Sequence, residues 1–192
     1  MHVREVSANP DFMHHKWFVK WHLEIVERIA LELTEKYPEA DHDLVEVMVW
    51  LHDYGKTLDY ENQYQKTLTA GREKLAELGF SPDFVDRAVS SIEVLDKKME
   101  LDIRKAPIEV QIVSSADGCS HMVGPFMQVF WNERTDKTFA GKEYEELMQL
   151  NLAKAEKDWN RKIVLPEARA AFENRYKVIC EQAGRIPEKF LA

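Results

Sequence analysis

The segment Leu51-His52-Asp53-Tyr54-Gly55-Lys56 sets an imidazole beside a carboxylate, followed at once by a glycine and a lysine. Such a pair offers a divalent ion one borderline nitrogen ligand and one hard oxygen ligand, a mixture that suits Mn, Fe, Co, Ni or Zn better than Mg or Ca alone. One pair does not make a site, so partners are needed. His22 and Asp117 stand where two other helices can supply them. On its helix His22 lines up with Ile25, Ile29 and Leu33, and therefore points inward. His52 follows Val45, Met48 and Val49, with Asp53 one step round, and Asp117 shares a face with Val110, Val113 and Ser114. An aspartate on an apolar stripe is costly unless it is paired, protonated or bound to a cation. Taken singly, each residue has an ordinary explanation: a hydrogen-bonded core histidine, a capping carboxylate, an acid beside an arginine. Convergence of all four on one interior point favours a metal site.

The elements that must position these residues are helical. Apolar residues recur at helical spacing throughout and no stretch alternates with period two. A first helix is predicted over Phe12–Lys36. A second starts at Asp41-His42-Asp43, with carboxylates in the first turn where the helix dipole favours them, and ends at His52-Asp53. Gly55 is then placed for the left-handed residue after a helix. Further helices are expected over Asn62–Leu78, Ser81–Asp96, Pro107–Met122, Phe126–Glu133, Glu143–Lys162 and Pro166–Gly184, with proline at two helix starts. The expectation is all-α: one single-domain bundle of about seven or eight helices over 1–192. Its motif-bearing core covers about 12–123, and a C-terminal helical extension about 124–192.

The order His22 … His52-Asp53 … Asp117, with the pair inside Leu-His-Asp-Tyr-Gly-Lys, resembles the HD-domain superfamily of metal-dependent phosphohydrolases. The resemblance covers roughly the first two-thirds of the chain. It implies hydrolysis of a phosphate ester, with nucleotides frequent among substrates and His22, His52, Asp53 and Asp117 as the metal ligands. An ion held so acidifies a bound water and polarises the phosphoryl oxygen. Asp53 doubles as proton acceptor, Lys56 steadies the phosphate as a mobile point charge, and Glu93 is a reserve general base. Many relatives carry further histidines between the pair and the last aspartate, building a second metal position. Here no histidine lies between Asp53 and Asp117, and Glu93 falls near the place of one. One divalent ion is therefore expected. The alternative from another class is a catalytically silent HD-type module that binds a nucleotide or a protein.

With 26 basic against 34 acidic residues, the formal net charge is −8. That balance argues against a nucleic-acid polymer as partner, while leaving room for a small phosphorylated substrate. Four cations in the loop 97–105 are candidates for phosphate contacts or a lid. Cys119 and Cys180 follow no metal or disulfide spacing. No apolar run approaches the roughly 18 residues a membrane span needs, and the start is too polar for a signal peptide; a cytoplasmic protein is expected. His121, one turn after Asp117, and His15, two turns before His22, are candidates to line the site, whereas His2, His14 and His42 read as surface residues. Trp17, Trp21, Phe126, Phe130 and Trp131 read as core rather than as a stacking platform. A homodimer is compatible with the C-terminal third but not demanded by it.

Overall fold

The computed structural model describes residues 2–123, 141–186 and 188–189. Among them all regular structure is helical. A short α1 (His2–Ser7), which periodicity did not anticipate, precedes irregular turns and then α2 (Glu24–Thr34). The chain continues through α3 (His42–Leu51), α4 (Gln63–Glu77), α5 (Pro82–Asp96), α6 (Ile108–Ser120), α7 (Tyr144–Lys157) and α8 (Pro166–Gln182). The helix expected over Phe126–Glu133, with Phe126, Phe130 and Trp131, lies outside the described residues. No helix among those described is long and apolar enough to cross a membrane.

The central element is α6. Every residue from Ile112 to Ser120 is buried, and the run Ser114-Ser115-Ala116-Asp117-Gly118-Cys119-Ser120 is made of small side chains around one aspartate. Small residues let neighbouring backbones come close, and α2 packs more extensively on α6 than any other pair of helices does. Around them Val26, Ala30, Val45, Met48, Val49, Ile92, Leu95, Val110 and Val113 form one core, which Ile163, Leu165, Ala168 and Ile179 of the C-terminal segment join. Cys119 and Cys180 are buried free thiols. Trp17 packs into a second apolar cluster with Phe12, Phe18, Leu23 and Leu147, and Trp21 lies against it.

Local chemistry explains the helix ends. Asp41 caps α3 by accepting from the Leu44 N–H at 3.1 Å, and Ser81 caps α5 by accepting from the Phe84 N–H, with Pro82 at the first position. Two departures from expectation bear on function. The first helix does not run from Phe12: a π-helical turn, Val19–Leu23, leads into α2, and His15 sits on a turn with Nδ1 2.8 Å from the Phe12 carbonyl. Likewise α7 ends at Lys157 and continues as a π-helical turn, Asp158–Lys162. Gly55 also differs from expectation. It is not left-handed; Gly79, Gly141 and Gly184 are the described glycines with positive φ. Gly55 is required by close approach instead, since a Cβ there would lie 2.0 Å from the Gln63 carbonyl oxygen and 2.6 Å from the Thr67 nitrogen. Its own N–H donates to Thr67 Oγ1 at 2.9 Å.

Candidate metal centre

His22 comes from the first π-helical turn, His52 caps the C-terminal end of α3, Asp53 starts the 3-10 turn Tyr54–Thr57, and Asp117 projects from α6. The structure brings His22, His52 and Asp117 together as one group that could hold an ion, and sets Asp53 against both rings. Ligand atoms of His22, His52 and Asp117 lie within 4.8 Å of one another. Asp53 Oδ2 is 3.3 Å from His22 Nε2 and 3.7 Å from His52 Nε2, and His22 Nε2 is 3.9 Å from Asp117 Oδ1. His22 and His52 are 3% and 5% exposed, so whatever meets their nitrogens is not bulk water.

Hydrogen bonding fixes which ring nitrogen faces the centre. Ser120 Oγ donates to the Asp117 carbonyl at 2.7 Å and lies 3.2 Å from His22 Nδ1. His52 Nδ1 donates to the Val49 carbonyl at 2.7 Å, which leaves its Nε2 turned to the carboxylates. His22 turns its Nε2 to Asp53, with which it hydrogen-bonds. His52 Nε2 is buried and has no hydrogen-bond partner. Burial lowers the His22 pKa, outweighing the pull of Asp53 and Asp117, which keeps this ring neutral.

The carboxylates are held charged. Burial pushes Asp53 up, but Lys56, 2.5 Å from Oδ2, together with His52 and His22 holds it well below the usual carboxylate range. Burial likewise opposes Asp117, and Lys162, His121 and Lys98 outweigh it. Lys162 Nζ lies 2.8 Å from Asp117 Oδ2 and 3.2 Å from Asp158 Oδ1. His121 donates from Nδ1 to Asp158 Oδ2 at 2.8 Å and turns Nε2 to Asp117 Oδ1 at 3.4 Å. Burial, and after it Lys154, pushes the His121 pKa down to about 3.

Glu93 does not join this group. Ile92 and Leu95 take the inward positions of α5, which turns Glu93 outward, where it pairs with Lys97 at 2.7 Å. The α5 acid that does feel the centre is Asp96. Its Oδ2 is buried without a hydrogen-bond partner, and burial, with Asp53 and Asp117 adding to it, raises its pKa to about 7 against the pull of Lys98 and Lys56. Of the cations in the loop 97–105, Lys98 is the one turned to the cluster: burial lowers its pKa, Lys162 adds to this, and Asp117, Asp53 and Asp96 oppose it. His14 is buried, contrary to expectation, in edge-on and tilted contact with Phe12, Trp17 and Tyr60. His2 is half-buried with Nε2 2.9 Å from the Tyr54 hydroxyl, and His42 is exposed.

Asp96, Lys154, Asp158 and Lys162 were missed from sequence, whereas Lys98 belongs to the loop whose cations were candidates. One signal was available. Asp158 continues the inward face of Leu147, Asn151 and Ala155, so it is an acid on a buried stripe, the same sign that marks Asp117.

A cavity of about 450 Å³ between α1, α3 and α4 is lined by Val47, Leu51, Tyr54, Leu75 and Phe80 among others, and by none of the four cluster residues. Volume alone therefore does not choose the site; donor chemistry does. Ring nitrogens of His22 and His52 and a carboxylate oxygen of Asp117 lie together, with Asp53 beside both rings and His52 Nε2 without a hydrogen-bond partner, a donor set complementary to a cation. The residues fit a divalent ion. A model of the HD domain matches residues 21–122. No curated protein and no solved structure compared with the chain matches it. The HD superfamily is one of metal-dependent phosphohydrolases. Since the match spans more than half of the 192 residues and contains all four residues of the cluster, the chain belongs to the HD-domain family.

Proposed function

We propose that the protein is a phosphohydrolase that cleaves a phosphate ester of a nucleotide or another small phosphorylated metabolite, using one divalent ion held by His22, His52, Asp53 and Asp117. The observation that carries this reading is the buried His52 Nε2, unpartnered and facing two carboxylates that are held ionised. When bound, the ion supplies a Lewis acid and a water acidic enough to attack at neutral pH.

The chain's own residues do the rest. The two histidines are held in orientation by Ser120 and the Val49 carbonyl. Asp53 is the carboxylate placed to take a proton from the attacking water. Lys56, already at Asp53 Oδ2, is placed to hold a non-bridging phosphate oxygen as charge spreads over it. Around the centre Asp53, Asp96, Asp117 and Asp158 face Lys56, Lys98, Lys154 and Lys162, so the charge of the ion is met in part by fixed charges and in part by an anionic substrate.

The test is phosphate release from a panel of phosphomonoesters, diesters and nucleotides. Metal-stripped protein is supplied in turn with Mn, Co, Ni, Fe(II), Zn or Mg, beside an Asp53→Ala control. Metal-dependent release that vanishes in the control supports the reading. An ion-binding protein that releases nothing from any substrate is a nucleotide- or protein-binding module instead.

A further inference from the structure

The second π-helical turn, Asp158–Lys162, lies outside the segment that matches the HD model, yet it reaches the centre. It is fastened to α6 by serines: Ser114 Oγ donates to the Lys162 carbonyl at 3.1 Å, and Ser115 Oγ accepts from the N–H groups of Val164 and Leu165 at 3.1 and 3.2 Å. Gly118 makes the approach possible. A Cβ at that position would meet Ile163 Cγ1 at 2.8 Å and Lys162 Cβ at 3.0 Å.

The Lys162 ammonium, 5% exposed, bridges Asp117 Oδ2 and Asp158 Oδ1. With Oδ2 engaged, Asp117 has Oδ1 left to face His22 Nε2. Asp158 is fully buried; its Oδ2 accepts from His121 and its Oδ1 forms an ion pair with Lys162 at 3.2 Å without a hydrogen bond. Resting on the reading of Asp117 as a metal ligand, we infer that Lys162 and Asp158 are positioning residues of the metal centre: Lys162 holds Oδ2 so that Asp117 binds through Oδ1 alone, and Asp158 holds Lys162 in place. The C-terminal segment is then a working part of the site. Groups that orient a ligand without touching the metal typically change affinity by about 10–100-fold when removed.

The experiment uses the full chain and Mn(II) titration by calorimetry, with Co(II) absorption as a second readout. Lys162→Met should weaken Mn(II) binding about 10–100-fold and dim the Co(II) bands, because a second carboxylate oxygen raises the coordination number. Lys162→Arg should recover part of the affinity. Since Lys162→Met strands two buried carboxylates, Asp158→Asn/Lys162→Met, which removes one charge of each sign, carries the test should the single variant not fold. Lys97→Met, on the outer surface, should leave Mn(II) affinity unchanged. A folded double variant with wild-type Mn(II) affinity and Co(II) spectrum overturns the positioning role. No Mn(II) or Co(II) binding by the wild type overturns the ligand set and this inference with it. Ion binding without phosphate release overturns the hydrolytic reading alone.

Discussion

Two π-helical turns carry side chains to Asp117, one near each end of the chain. Val19–Leu23 brings His22, and Asp158–Lys162 brings Lys162. A π turn inserts one extra residue into a helical turn and so rotates everything before it relative to everything after it. In the first, the rotation lets α2 keep its apolar stripe on α6 while His22 faces the centre. In the second, it turns Asp158 and Lys162 to α6 before the chain leaves for α8. The charges they bring differ. His22 brings an imidazole kept neutral by burial, and Lys162 a cation to the far oxygen of Asp117. On the reading proposed above, one turn would supply a bond to the ion and the other a constraint on it.

If the first region supplies ligands, damage there should remove function before stability. Asp53→Ala should abolish turnover and lower metal affinity by more than the about 10–100-fold that orienting groups command, while helical circular dichroism stays near wild type. Atomic absorption of the dialysed protein, beside phosphate release, checks both; a variant that keeps its metal would break the distinction.

If the second region is a constraint made of buried charge, damage there should cost stability first. Lys162→Met leaves Asp117 and Asp158 without their shared cation, and stranding a buried charge costs about 3–5 kcal/mol. The paired Asp158→Asn/Lys162→Met variant should lose clearly less. Urea unfolding of the two proteins side by side gives the difference, and equal losses would place the effect in packing rather than charge.

The acids of the two regions should also share one pH window, from which Asp96 departs. Asp53 and Asp117 are held below their ordinary values. The stability they lend is present above the unfolded carboxylate pKa of about 3.9 and is lost as pH falls toward their folded values. Asp96, raised to about 7, runs the other way. Its burial costs little near pH 4, increasingly more as pH rises, and the full amount above 7. Asp96→Asn should therefore match wild type near pH 4 and exceed it at pH 8 by on the order of 1–2 kcal/mol, part of the residue being screened by solvent. Urea unfolding at both pH values in chelator tests the sign.

The smallest effect belongs outside both regions. Glu93→Gln breaks an exposed pair with Lys97 and should leave stability unchanged within the error of urea unfolding. Phosphate release should stay at the wild-type rate; a large loss would return Glu93 to the chemistry.

The first region was legible because its signals are local. His52 and Asp117 each interrupt the apolar stripe of a regular helix. His22 was rightly turned inward but on the wrong stripe, since it lies on a π turn and the buried positions of α2 are Val26, Ala30 and Leu33 rather than Ile25 and Ile29. The second was not, because Lys154, Asp158 and Lys162 follow one another at four-residue spacing, the pattern of a solvated ladder of ion pairs on a helix surface. Nothing in those residue types announces burial; the apolar residues beside them do. Glu93 and Asp96 show the limit of position alone. Three residues apart on α5, they differ in which comes close to Asp53 and Asp117, and the C-terminal end of the helix decides it. The π turns were invisible for a related reason, since one extra residue in a turn leaves composition and periodicity almost unaltered.

Ser120 has a consequence for the order of assembly. Its hydroxyl donates to the Asp117 carbonyl and meets His22 Nδ1, so His22 acquires that partner from a helix made nearly a hundred residues later. On a growing chain, His22 lacks it until α6 has emerged and docked. Lys162 emerges later still. The cluster is therefore completed in steps, and a chain stopped short of Lys162 has the motif without the cation that meets Asp117.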